Sequence, residues 1–326
     1  MKRTLLLINI CLLSLSACTT ISTVCYDRLQ SAEVCFPDEV RRVGVINNVI
    51  PSKLVSNEAV NVLDGDGDIM AEAFAQAVAE TKYFDQVIIS DSMGRERTSQ
   101  NIEKGFSFNE IDNLIRSLDV DLLFSIDNLY VQLKDNSYLV PGVMTPIPIV
   151  DGIVTPIIRA YVHGRSAPLF VVNKSDSIYW EITPSLDIQQ IIKESSEFAA
   201  SIPMRYLLPY WEEVNRYIFS GGCVEMRDAN VYVQENNWGM ASELWEEIYN
   251  HKKGKTKMQA AYNLAVYYEM QNDFDMATKY LDEALGLSKE NSSEKQMMEI
   301  FQIQLKTQLI KNQKLKMQLQ RFDDIF

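Results

Sequence analysis

Between residues 229 and 284 one spacing of small and large side chains occurs twice, 36 residues apart. Ala229 corresponds to Ala265, Tyr232 to Tyr268, Trp238 to Phe274, Ala241 to Ala277 and Trp245 to Leu281. A repeat of this length stacks helical units on one another, because one unit alone cannot bury its apolar face. The alanines let the two helices of a unit approach closely, and the tyrosines fill the gap beneath them. Asn236 and Asn272 fall between the helices, where tolerance of a left-handed backbone suits a tight turn.

The pattern is similar to that of tetratricopeptide repeats. Ala261-Tyr262-Asn263-Leu264-Ala265 through Ala284 is the stronger copy, and the first copy takes its alignment from it. Two copies leave an apolar face open, so the array needs a cap. The helix from Glu294 supplies one, with Met298, Phe301, Leu305 and Leu309 as its stripe. Lys306, Lys311, Lys314 and Lys316 then form a solvated outer face, the alternative being a basic surface for lipid or a partner. A repeat array recognises partners through the inward side of its first helices. That places Met226, Asn230, Val233, Tyr262, Val266 and Glu269 on the recognition face, with Glu269→Gln expected to be harmless there. Asn263 stands where some repeats bind a peptide carboxylate. Arg227 stands at the equivalent place in the first copy, so the clamp is incomplete.

The N-terminal half reads differently. Val40–Ile46 is a β-branched strand, Asp68–Thr81 a helix, Val87–Ile89 a short buried strand, Phe108–Leu118 a helix and Asp121–Leu133 a third strand. This β-α-β-α-β order implies parallel crossovers covered by helices. Ile157–Val162, Leu169–Val172 and Ser177–Ile182 read as antiparallel strands, and everything from Ile188 onward reads helical. Leu139–Ile158 holds Pro141, Pro146, Pro148 and Pro156, which excludes a regular helix or central strand there. A loop packed over the domain's own sheet or a poorly ordered connection is expected, the alternative being an exposed apolar loop that docks on a partner or the membrane surface. The expected class is α+β: a small mixed α/β sheet domain (39–185), connecting helices (186–220) and an all-α repeat solenoid with its capping helix (221–326).

The first 38 residues are a separate matter. Lys2 and Arg3 precede an apolar run too short to span a bilayer, as in a secretory signal. Leu15-Ser16-Ala17-Cys18 resembles a bacterial lipobox, which would remove residues 1–17 and acylate Cys18. Residues 18–38 then form a tether without periodicity. The implied location is the outer membrane of a bacterial envelope, held by lipid and facing the periplasm. The formal charge of −13 disfavours nucleic-acid partners. Export permits a disulfide between Cys25 and Cys35, with two free thiols as the alternative.

No catalytic constellation stands out. The chain lacks G-x-S-x-G, H-E-x-x-H and a glycine-rich phosphate loop, and it has only two histidines. Asp64-Gly65-Asp66-Gly67-Asp68 begins like a calcium loop. Its sixth and twelfth positions are Ile69 and Ala75, however, where glycine and glutamate are needed, so a turn with Asp68 as helix N-cap is expected. No metal, cofactor or enzymatic activity is assigned.

Val43-Gly44-Val45-Ile46-Asn47, Val120-Asp121-Leu122-Leu123, Pro209-Tyr210-Trp211 through Arg216-Tyr217, Trp238–Trp245 and the second repeat carry a wider likeness. With them the chain resembles a family of bacterial envelope lipoproteins that joins an N-terminal α/β domain to C-terminal tetratricopeptide repeats. The function of that family is unknown, so the resemblance carries over no catalytic residue. The repeats themselves imply an adaptor or scaffold binding another envelope protein or peptide through their groove. One rival is a glycan-uptake lipoprotein, which needs an exposed aromatic platform; Trp211, Trp238 and Trp245 all read as core. The other is a subunit of a secretion or pore complex, with Leu139–Ile158 as the inserting element.

Overall fold

The computed structural model describes residues 21–49, 61–90, 106–139, 141–142 and 145–325. Residues 1–17, read above as a signal, and Cys18 lie outside the described residues. In chain order the elements are β1 (Ile21–Gln30), β2 (Arg42–Asn47), β3 (Asn61–Asp64), α1 (Gly67–Glu80), β4 (Gln86–Ser90), α2 (Phe108–Leu118), β5 (Leu122–Tyr138), β6 (Ile147–Val162), β7 (Phe170–Asn173) and β8 (Asp176–Glu181). Helices α3 (Ile188–Ser201) and α4 (Met204–Leu207) lead to β9 (Tyr210–Phe219). The chain continues through α5 (Val224–Gln234), α6 (Trp238–His251), α7 (Gly254–Met270), α8 (Phe274–Leu287) and α9 (Ser293–Leu319). The protein is therefore mixed α/β, a sheet-rich N-terminal region followed by an all-helical C-terminal one. It forms two compact units, residues 32–210 with 318–326, and residues up to 31 with 211–317.

In the sheet unit β4, β2 and β5 run parallel in that order. Val43, Val45 and Ile46 of the central strand are fully buried, as both faces of a covered parallel sheet require. Helix α1 buries Met70, Phe74 and Val78. Its N-cap is Asp66 rather than the expected Asp68. The Asp66 carboxylate accepts from the Asp68 and Ile69 N–H groups, satisfying two free donors of the first turn. Helix α2 opens on a reciprocal capping box between Ser107 and Glu110. Helix α3, read from sequence as a connector, buries Ile191, Ala199 and Ala200 in this unit, which extends to residue 210 rather than 185.

The proline-rich segment departs most from expectation. Residues 147–162 form the interior strand β6, with β5 along one side and β7 and β8 on the other. Its prolines fall where no donor is needed. β8 covers Ile149–Val154 and β7 covers Ile157–Ala160, which leaves Pro148 just outside the pairing and Pro156 in the gap. The Pro148 carbonyl still accepts from Ile182 N–H at 3.2 Å. Gly152 leaves room for the Trp180 ring to lie over the strand; a Cβ there would come within 2.7 Å of it.

Much of the stretch read from the sequence as a tether is folded. Residues 21–30 are a strand, and Ala32 and Phe36 are buried in the sheet unit. The Gln318 amide accepts from Ala32 N–H at 3.0 Å and donates to the Val34 carbonyl at 2.6 Å. Phe36 meets Phe84 edge-on, with ring centroids 5.2 Å apart. Cys25 and Cys35 form no bridge; both are free, exposed thiols. β1 stays extended for five residues beyond Cys25, about 16 Å at the usual strand rise. The Cys25 thiol instead donates to Asn215 Oδ1 at 2.8 Å.

In the helical unit the two turns match bond for bond. Asn236 and Asn272 adopt φ of 57° and 59°. Asn237 N–H reaches the Tyr232 carbonyl at 2.8 Å, and Asp273 N–H reaches that of Tyr268 at 2.9 Å. The side chains of Asn237 and Asp273 then cap α6 and α8 through the N–H groups of Met240 and Met276. Ala229, Ala241, Ala265 and Ala277 have no exposure at all. Ala265→Leu should therefore overpack the helix contact and lower stability by about 1–3 kcal/mol, read as a fall in Tm. A wild-type melt would mean that the helices do not meet at that residue.

Candidate functional site

Most of the residues read from the sequence as a recognition face lie together on the helices but are covered by the chain itself. β1 and β9 pair into a two-stranded ribbon. Beneath it Met226, Asn263, Val266 and Glu269 have no exposed surface and Tyr262 has almost none. These five are not accessible to a partner. Asn230 and Val233 are half-buried and line a cavity of about 320 Å³ together with Ser22–Cys25, while Arg227 alone of the set is exposed. Strand β9 stands where the sequence suggested a connecting helix. Its Val214, Ile218 and Phe219 are buried in this unit, and its alternation is a strand's.

Two side chains fix the ribbon. Asn263 grips the Phe219 backbone from both sides: its Oδ1 accepts from Phe219 N–H at 2.8 Å, and its Nδ2 donates to the Phe219 carbonyl at 2.7 Å. The residue expected to bind a foreign peptide end thus binds this chain's own strand. Glu269 gathers the other contacts. Arg216 donates to both its oxygens at 2.7 Å, Arg28 donates to Oε1 at 2.7 Å, and Tyr26 donates to Oε2 at 3.0 Å. Burial pushes the Glu269 carboxyl up, but the hydrogen bond and charge of Arg216 and then Arg28 outweigh it, leaving it below the usual carboxylate range. Burial, reinforced by the Glu269 charge, holds the Tyr26 hydroxyl protonated far above its ordinary range. Glu269 is therefore a buried ion-pair centre and not a replaceable surface acid. Tyr26, Arg28 and Arg216 have no motif spacing, since they sit more than 50 residues in sequence from Glu269.

The outward face of the ribbon is open. Trp211 is 69% exposed and Tyr217 53% exposed, and both point to the same side of β9 because they are an even number of residues apart. This corrects the reading of Trp211 as core; Trp245 is fully buried, and Trp238 is half-buried against it. Where the ribbon meets the first half of α9 there is a cleft of about 670 Å³. Tyr262 and Phe301 form its floor, with ring centroids 5.7 Å apart.

A buried polar cluster of the sheet unit centres on Asp127. Asp127 is the extra residue of a bulge in β5, between Ile126 and Asn128. It accepts from Ser125 Oγ at 2.6 Å, from Asn48 Nδ2 at 2.9 Å and from Arg159. The cluster lies at the carboxyl ends of parallel strands, where open α/β sheets bind ligands. Here three donors of the same chain already occupy the carboxylate, which makes its role structural. Among the described residues no group of His, Cys, Asp or Glu could hold a metal ion. No helix among them is long and apolar enough to cross a membrane.

A mixed sheet unit joined to helices that carry their own strand ribbon defines the class. The chain belongs to the family described as Domain of unknown function (DUF8603), which matches residues 40–219. A second family, Domain of unknown function (DUF6340), matches residues 227–307. No curated protein matches the chain. A solved structure, the hypothetical protein CT253 from Chlamydia trachomatis, shares 9% identity at a TM-score of 0.22, over 42% of this chain and 72% of that one. A TM-score that low does not define a shared fold.

Proposed function

We propose that the chain is an acylated envelope lipoprotein, anchored through Cys18 and facing the periplasm, that acts as a protein-binding adaptor on tetratricopeptide-like repeats capped by α9. The observation that carries this reading is the double hydrogen bond of Asn263 to the Phe219 backbone, which makes the helical face a receptor for extended chain. The ribbon fills that receptor, so partners are met by the ribbon's outward face. Trp211 and Tyr217 are its anchors, being large, rigid and exposed. Cys18→Ala should move the protein out of carbonate-washed membranes, and Trp211→Ala should abolish its crosslinks to envelope partners in cells. Retention in the membrane fraction would sink the anchor, and unchanged crosslinks would sink the ribbon face.

One observation favours a second reading. The exposed Trp211, with Tyr217 on the same side, supplies the aromatic platform that glycan binding requires. The same Trp211→Ala variant separates the two: a glycan binder shows oligosaccharide-dependent tryptophan fluorescence that the variant loses. The pore-complex reading loses its inserting element, because residues 147–162 are the interior strand β6.

A further inference from the structure

The cleft between the ribbon end and α9 is left without a ligand by the adaptor reading. Most of its lining surface is apolar, with Ile21, Tyr217, Met297 and Ile300 above the Tyr262–Phe301 floor, while Asn215, Ser293, Gln296 and Gln304 add uncharged polar groups. Its two charged side chains are both neutralised. Arg216 is spent on Glu269, and Glu294 lies 3.0 Å from Lys255 Nζ, whose hydrogen bond draws the carboxyl below its usual range. A site of this kind offers an ion nothing in return for its lost hydration, whereas hydrocarbon gains from leaving water. The walls open onto further apolar surface, since Ile300 is 59% and Ile303 67% exposed.

Position supplies the occupant. Ile21 is the third residue after Cys18, so the two Cα atoms are no more than about 11 Å apart whatever path the chain takes. An acyl chain attached at Cys18 reaches the cleft without any movement of the folded body. We propose that the cleft holds one acyl chain of the lipid on Cys18, an inference that rests on the lipidation reading above. The bond between cysteine and lipid stays as it is; only the surroundings of the hydrocarbon change. Gln296 and Gln304 at the rim offer amide donors to the carbonyl at the head of the chain.

Photo-crosslinking of the full-length lipoprotein tests this. Benzoylphenylalanine replaces Ile300 in one sample and Ile310 in another; Ile310 is 70% exposed on the same helix and does not line the cleft. Both samples are placed in phosphatidylethanolamine–phosphatidylglycerol vesicles, irradiated, digested and analysed by mass spectrometry. The expected product joins position 300 to the acylated Cys18 peptide, at least tenfold more abundantly than position 310 does. Equal yields at the two positions, or capture of vesicle phospholipid alone at 300, would overturn the proposal and leave the lipid anchor standing. An unacylated Cys18 peptide would overturn both.

Discussion

Glu269→Gln is expected to destabilise the helical unit by about 3–5 kcal/mol, although the change alters one atom. Its partners Arg28 and Arg216 are only 8% and 10% exposed, and removing the negative member of a buried pair strands the positive ones. Urea unfolding at neutral pH measures the loss. The pH dependence gives an independent reading. The folded carboxyl sits below its ordinary value of 4.5, so the unfolded chain binds the proton first as pH falls. The stability it contributes is complete above about 4.5 and disappears as pH drops through the lower folded value. In the glutamine variant this part of the acid dependence should vanish. A variant within 1 kcal/mol of wild type, with the same acid profile, would mean that Glu269 does not hold the ribbon.

Asn263→Leu should cost about 2–6 kcal/mol. The substitution keeps the bulk but leaves the Phe219 N–H and carbonyl buried without partners, and each such group is worth about 1–3 kcal/mol. The damage should be local before it is global. Hydrogen exchange at Phe219 should rise by orders of magnitude, while the amides of α7 and α8 keep their protection until the unit melts. Unchanged exchange at Phe219 would rule out the clamp.

What the sequence made legible was what local periodicity encodes. Helices α1 and α2 follow from Met70, Phe74 and Val78 and from Ile111, Leu114 and Ile115. The turns follow from Asn236 and Asn272, and the close helix contacts from four alanines. Long-range pairing left less trace. Strand β1 buries Val24, Arg28 and Gln30 on one face, and two polar residues in three hide the alternation. Strand β9 alternates Trp211 and Tyr217 with Val214 and Ile218, a mixture that also fits an amphipathic helix. The prolines of β6 argued against a strand because the gap between β7 and β8 is visible only once the sheet is assembled. The residues read as a recognition face do lie together on the helices, but most of them are buried beneath the chain's own ribbon. That cover was missed because no local signal links Arg28 to an acid 241 residues away.

That separation sets the order in which the molecule can assemble. β1 is made well before its partner, so Tyr26 and Arg28 lack their acid until residue 269 has followed. Closing so long a loop adds little to the equilibrium, since each doubling of length costs only about 0.6 kcal/mol. It weighs on the rate, because contacts distant in sequence form late and slowly. Among the described strands the first is therefore late to dock, and until then Arg28 and Tyr26 remain in water.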